Sequence, residues 1–308
     1  MYGKKIKKNY YDQGAKLFWL DVAEPEYSVY DFKNYRYQLG SVQEVGNIYP
    51  KYYLKAFYDG MTAEGDTMPI SLIRSAWAGS AKYGALVWSG DIVSTFECFR
   101  RQVQAGLNMA IAGIPWWTTD IGGFHGARTD DPDFHRLYIR WFEYGCFCPV
   151  MRLHGNRNPQ EGYGAEQIGS GSDNEIWSFG DKAYEISKKY IFLRERLRDY
   201  IRTQMKKAHE DGTPMMRPVF YDFPTDQESW NVEDAYLFGP DLYVAPVMED
   251  HVTEREVYLP DGTAWFNAWT GEKYEGGQNV TVAAPLDTIP VFVKEGADAE
   301  KLLNIFSE

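Results

Sequence analysis

The chain is poor in cysteine, short of positive charge and without a long apolar run. Its three cysteines among 308 residues, Cys98, Cys146 and Cys148, have no paired spacing that suggests a zinc site or a disulfide framework. An odd count with no framework points to reduced, structural thiols. Lysine and arginine total 32 against 44 aspartates and glutamates, a net charge of −12. The one short basic run, Lys4-Lys5-Ile6-Lys7-Lys8, reads as a solvated surface segment, so no nucleic-acid partner is expected. No apolar stretch approaches the roughly 20 residues of a membrane helix, and the N-terminus has no apolar core followed by small residues. No membrane partner is expected, and a cytoplasmic location is favoured. His-Glu-x-x-His, a phosphate-cradling glycine loop and a Gly-x-Ser-x-Gly elbow are all missing, which leaves zinc hydrolysis, nucleotide chemistry and serine catalysis without support.

What is present in quantity is aromatic. Phe, Trp and Tyr make up 16% of the chain, with ten Trp and 23 Tyr, more than core packing requires, and such rings stack well on the apolar faces of sugars. Two segments share a form that suggests where. Ala15-Lys16-Leu17-Phe18-Trp19-Leu20 runs into an acidic tip, Asp21 to Glu26, and Ala85-Leu86-Val87-Trp88-Ser89-Gly90 runs into Asp91. Each reads as a buried strand delivering a carboxylate at its C-terminal end, where barrels of parallel strands keep their chemistry. Two carboxylates facing each other across a sugar are what glycoside hydrolysis needs.

The units repeat. Pro69–Ser75 is a strand ending in Arg74 and Ser75, Ala112–Asp120 ends in an aromatic and acidic tip, and Pro149–His154 ends at a Gly-Asn turn. Helical spacing fills the intervals at Tyr49–Ala63, Thr95–Ala110 and Asp133–Gly145, and a long amphipathic helix runs from Asp181 to Glu210. Tyr27–Gly46 reads as a loop over the barrel mouth, and Gly162–Asn174 as a glycine- and serine-rich loop. Strand, polar tip and helix in succession signify a parallel α/β barrel, of which five strands are counted. After Gly212 the pattern changes to short β runs separated by Pro-Asp, Asp-Gly, Thr-Gly and Gly-Gly turns. The expected fold class is therefore α/β: residues 1–212 form the C-terminal portion of a (β/α)8 TIM barrel, and residues 213–308 a small antiparallel β-sandwich domain.

Five ordered strings, Trp19-Leu20-Asp21 with Glu24, Arg74-Ser75 with Gly79-Ser80, Trp88-Ser89-Gly90-Asp91, Asp120-Ile121-Gly122-Gly123-Phe124 and Arg152-Leu153-His154-Gly155, resemble glycoside hydrolase family 31. These are retaining α-glycosidases that include α-xylosidases and α-glucosidases. Met216-Arg217-Pro218 and Gly239-Pro240-Asp241-Leu242 resemble the family's following β domain. The resemblance implies that Asp21 is the nucleophile and Asp91 the general acid/base, with carboxyl groups about 5–5.5 Å apart. It implies sugar contacts from Arg74 and His154, with a forked bond to a catalytic carboxylate or a structural ion pair as the other readings of Arg74. Asp120 is expected to accept from sugar hydroxyls, its competing reading being a buried cap of the Gly-Gly loop. Trp19, Trp88, Trp117 and Phe124 are expected as aromatic walls, with barrel packing as the competing reading for about half of them, Arg152 as a residue that orders carboxylates, and Glu24 as one that orders its loop. The implied substrate is an α-linked oligosaccharide or glycoside ending in xylose or glucose, with no metal and no cofactor, and the full-length enzyme is expected as a homo-oligomer. Sulfoquinovosidase, α-N-acetylgalactosaminidase and α-glucan lyase activities, or a non-catalytic carbohydrate-binding fragment, stand as alternatives. Because family members carry an N-terminal β-sandwich and three earlier barrel strands, the chain is expected to be a fragment of a larger enzyme.

Overall fold

The computed structural model describes residues 2–24, 31–158 and 172–307. Pro25 and Glu26 of the acidic tip, residues 27–30 of the expected mouth loop and residues 162–171 of the glycine- and serine-rich loop lie outside them. Four short strands, β1 (Phe18–Leu20), β2 (Ser71–Ile73), β3 (Ala85–Trp88) and β4 (Trp117–Thr118), form one parallel sheet in chain order. Their register places Leu20, Ile73, Val87 and Trp117 level with one another. All four are buried in the core that the helices cover. Because side chains alternate along a strand, the next layer, beginning with Asp21, Arg74 and Trp88, turns to the opposite face. The alignment of three strand ends is thus what gathers the candidate site.

The expected fifth strand, Pro149–His154, is a correction: it has no ladder. Pro149 offers no N–H, and the segment joins β4 through two backbone bonds, Val150 N to Trp117 O at 3.2 Å and Ile121 N to Arg152 O at 3.3 Å. A parallel pair follows instead, β5 (His125–Arg128) with β6 (Asn156–Asn158).

The helices form where apolar spacing and caps agree. The basic run forms α1 (Tyr2–Asn9). In α2 (Tyr49–Ala63), Pro50 sits in the first turn, and Pro50, Leu54, Phe57 and Met61 make the buried stripe. Thr95 caps α3 (Phe96–Ile111) by accepting from Cys98 N, and Asp131 caps α4 (Pro132–Cys146) by accepting from Asp133 N. The single long helix expected over 181–210 is two, α5 (Gly180–Arg196) and α6 (Arg198–Glu210). They meet at Leu197, whose ψ of 0° breaks the helical run while its side chain stays fully buried. A C-terminal helix that the sequence reading missed, α7 (Ala299–Ser307), lays Leu302 and Phe306 into the core.

After α6 the chain builds a six-stranded sheet from β7 (Met216–Arg217), β8 (Tyr236–Phe238), β9 (Leu242–Val244), β11 (Ala264–Asn267), β12 (Lys273–Glu275) and β14 (Val291–Lys294), in the order β12-β11-β14-β9-β8-β7. Its ladders are antiparallel. A separate antiparallel pair, β10 (Glu254–Leu259) with β13 (Gln278–Ala283), packs over it. Period-2 alternation in the central strands divides their side chains between two cores. Tyr236, Phe238, Leu242, Val244, Val291 and Val293 face the barrel helices. Leu237, Tyr243 and Phe292 face Val257, Leu259, Val280 and Val282 across the sandwich.

One buried arginine ties the two parts. Arg140 on α4 donates to the carbonyls of Ala284 (2.7 Å), Pro285 (3.0 Å), Val252 (3.2 Å) and Thr288 (3.3 Å), and lies 3.2 Å from fully buried Glu143. Burial pushes the Glu143 carboxyl up to about 8, against the opposing pull of Arg140. A carboxyl raised on folding contributes most to stability at low pH. Its contribution falls as pH climbs from the ordinary 4.5 towards about 8. Glu143→Gln is therefore expected to flatten that decline: the loss of urea midpoint between acid and mildly alkaline buffer shrinks relative to wild type, and an unchanged slope counts against the assignment.

Candidate active site

At the C-terminal ends of β1 to β3 one guanidinium gathers the acidic tips. Arg74, only 11% exposed, sits 3.5 Å from Asp21 through Nε, 3.6 Å from Asp91 through Nη1, and in direct contact with Glu24 through Nη2. The backbone prepares this: Arg74 N donates to Leu20 O, and β2 is held to β3 by Ser71 N bonding Gly84 O at 3.1 Å. Gly84 sits at φ +69°, and a Cβ there would lie 2.0 Å from the Pro69 carbonyl oxygen, so only glycine fits. Asp21 Oδ1 also accepts from Val22 N at 2.8 Å. Val22 itself has φ 52°, a left-handed conformation costly for a β-branched side chain, directly after the proposed nucleophile. Asp21 and Asp91 are 52% and 43% exposed, so the rim is open to solvent on the side away from Arg74.

An aromatic and cationic wall stands beside them. Trp19 meets Trp88 edge-on at 5.7 Å and His154 edge-on at 4.7 Å, and Phe124 stacks on His154 at 5.4 Å. The Arg152 guanidinium lies over both indoles, 4.6 Å from Trp19 and 5.7 Å from Trp88. Burial, with Arg152 and Arg157 nearby, pushes the His154 imidazole below its ordinary range, which favours the neutral ring that can both donate and accept. Phe124 is held by its N–H to Ile92 O at 2.7 Å. It follows Gly123, whose φ of +79° and missing Cβ, which would be 2.8 Å from the Ser94 backbone, let the loop close.

The structure therefore brings Asp21, Asp91, Arg74, Trp19, Phe124 and His154 to one rim, with Trp88 beneath it: at 2% exposure it packs under Trp19 and Arg152, a correction to its expected place as a sugar-facing wall. It does not bring Trp117. That side chain belongs to the layer of Leu20, Ile73 and Val87 and points at α3, where a Cβ on Gly106 would meet its Nε1 at 2.7 Å. Strand alternation is the reason, and the sequence carried that signal. Asp120 is a further correction: it is completely buried and bound to Arg152, so it props the wall instead of presenting its oxygens to the opening. Burial pushes its carboxyl up to about 6 even against Arg152.

Sequence reading missed Arg157. Nearly fully buried, it donates to Asn174 Oδ1 (2.8 Å), Ser94 Oγ (3.2 Å) and Ile121 O (3.3 Å), and lies over Phe134. It ties the Gly-Gly loop to β6, and the Asn-Arg-Asn run gives no motif by which to find it. Burial pushes the Cys146 and Cys148 thiols up to about 12, which fits inert packing groups. Among the described residues no His, Cys, Asp and Glu cluster is arranged to hold a metal, and no helix is long and apolar enough to cross a membrane. A cleft of 590 Å³ between α3 and the C-terminal sheet, lined by Arg100, Glu233, Glu249 and Arg255 among others, lies away from this rim.

These placements separate two tryptophans. Trp117→Phe is expected to lower stability by about 1–3 kcal/mol, the range for losing packed core volume, with sugar affinity unchanged. Trp19→Ala is expected to do the reverse. Thermal melts and isothermal titration with xylose check both, and weaker sugar binding by a folded Trp117→Phe contradicts the placement.

Comparison with known proteins assigns a family to both parts of the chain. The model of the glycosyl hydrolases family 31 TIM-barrel domain matches residues 1–204, and that of the glycosyl hydrolase family 31 C-terminal domain matches residues 212–297. A crystal structure of an α-xylosidase from a soil metagenome, complexed with xylose, superimposes with a TM-score of 0.92 at 56% identity, over 98% of this chain and 46% of that one. An α-xylosidase of Saccharolobus solfataricus is 37% identical over 94% of this chain and 38% of its own length. Alpha-glucosidase 2 of Bacillus thermoamyloliquefaciens is 33% identical over 94% of this chain and 35% of its own. The chain thus spans under half the length of these relatives. With both of its parts matched in order, the chain belongs to glycoside hydrolase family 31.

Proposed function

We propose that the protein hydrolyses terminal, non-reducing α-linked xylose or glucose with retention of anomeric configuration, Asp21 acting as nucleophile and Asp91 as general acid/base. The observation that carries this is the single Arg74 guanidinium within ion-pair range of both aspartates, beside a wall of Trp19, His154 and Phe124 that rests on buried Trp88. A sugar ring set against those aromatics has its anomeric carbon over Asp21. Asp21 attacks that carbon, the bond to the glycosidic oxygen breaks, and the Asp91 proton passes to the departing oxygen. Water then attacks the same carbon, Asp91 takes the water proton, and Asp21 leaves as carboxylate. Two inversions give net retention.

Arg74 serves both steps. It lies beside the Asp21 carboxylate that attacks and beside Asp91 while that group gives up and takes back a proton. Glu24, in contact with the same guanidinium, orients it. The α-xylosidases among the relatives support xylose and the α-glucosidase supports glucose. The choice turns on room for a hydroxymethyl group at C5, a contrast of about 1–3 kcal/mol.

The test is turnover of 4-nitrophenyl α-xyloside and α-glucoside, with the first-formed sugar observed by proton NMR. The α-anomer is expected first, and the β-anomer first contradicts retention. Asp91→Ala is expected to cost about 10²–10⁴-fold in kcat, and Asp21→Ala at least as much. Xylose binding without turnover, the same in wild type and Asp21→Ala, would instead favour a non-catalytic carbohydrate-binding role.

A further inference from the structure

We infer that Asp120 and Arg152 are a proton-linked prop for the sugar-binding wall: ionised Asp120 holds the Arg152 guanidinium in the corner between Trp19 and Trp88, and a protonated Asp120 releases it. The inference rests on the glycosidase reading of the rim and assigns how that rim is kept in shape. Asp120 follows β4 and is completely buried, with one carboxylate oxygen on Arg152 Nη1. Its other oxygen is also buried and accepts no hydrogen bond among the described residues. The arginine is therefore its principal partner. Arg152 in turn touches the two indoles and leaves its Nη2 buried without an acceptor among the described residues.

A buried guanidinium stripped of its carboxylate is expensive to keep in place, so neutralising Asp120 favours moving Arg152 out towards solvent. That movement removes the cation from the faces of Trp19 and Trp88. Trp19 is about half exposed and is the ring against His154, so the wall loses its backing on the side where a sugar would lie. The charged and titratable groups that face Asp120 are Arg152, Asp91 and Arg157, and His154 lies beside Arg152 on the same segment. Burial places the Asp120 carboxyl near 6, with Asp91 adding to the rise and Arg152 and Arg157 opposing it. The change of state therefore falls in mildly acid solution. Asp120 touches no substrate in this account and acts as a positioning residue.

The experiment is the pH dependence of xylose affinity, by isothermal titration of the whole protein, for wild type, Asp120→Asn, Asp120→Glu and Arg152→Lys, with KM and kcat for 4-nitrophenyl α-xyloside measured in parallel. Wild-type affinity is expected to weaken about two- to tenfold as pH falls through the Asp120 transition, the scale of a lost cation–π backing, with KM following it and kcat changing less. Asp120→Asn is expected to bind weakly and flatly at every pH. Asp120→Glu is expected to restore a pH-dependent limb, and Arg152→Lys to bind weakly throughout because an ammonium cannot cover two rings. A wild-type affinity that does not vary with pH overturns the proposal. So does an Asp120→Asn protein that melts lower yet keeps the wild-type pH profile, because that is a purely structural role. Should Asp120→Asn not fold, His154→Asn decides: the limb survives if Asp120 titrates and disappears if His154 does. Failure to turn over either glycoside, with the pH-dependent binding intact, would remove the hydrolase reading and leave the prop standing.

Discussion

A single positive charge at the end of β2 organises this molecule's chemistry. Arg74 contacts Asp21, Asp91 and Glu24, which come from two different strand ends, and without it three carboxylates in so small a space would repel. The arrangement exists only because β1, β2 and β3 end level, Leu20 opposite Ile73 opposite Val87. A shift of one residue in β2 would turn Arg74 towards the helices and bring Ile73 or Ser75 into its place. Register is therefore a chemical requirement here as well as a packing one. The left-handed Val22 directly after Asp21 fits the same picture, as local strain concentrated where a carboxylate must be aimed.

Stiffness behind the rim comes from further away. The central strands of the C-terminal sheet send alternate side chains into the barrel's helical core and into the sandwich, so the two matched family regions share buried surface. Arg140 reaches from α4 to four carbonyls beyond the sandwich strands. Burying such a cation is tolerable only because its donors are satisfied and Glu143 stands beside it. In this way α4, which packs behind β4 and the Gly-Gly loop, is fixed by contacts outside the barrel.

Much of this was legible in the residues. The acidic strand tips, the arginine at the end of β2 and the change to short β runs after Gly212 each follow from local composition, and the matched order of five strings set the family. Roles that depend on burial were not legible in the same way. Asp120 lies in a string that fits either a sugar-facing carboxylate or a buried cap of the Gly-Gly loop, and only the three-dimensional partner, Arg152, shows it to be enclosed. Trp117 was misread although the signal was present, because strand alternation from Leu20, Ile73 and Val87 assigns it to the helix side. The segment 149–154 has the apolar content of a strand, yet Pro149 removes a donor and only two backbone bonds tie it to β4 and its loop. Arg157, in an Asn-Arg-Asn run, carries no local mark of its buried role.

The account stands on Asp21 forming a bond to a sugar while Arg74 holds it beside Asp91. The direct measurement is mass spectrometry of the protein incubated with 5-fluoro-α-xylosyl fluoride, a substrate whose glycosyl intermediate is slow to hydrolyse, followed by peptide mapping. A mass increase of one fluoroxylosyl unit on the peptide containing Asp21, absent in Asp21→Asn, is the predicted result. An adduct on another carboxylate, or steady release of product with no adduct at any time, would contradict it.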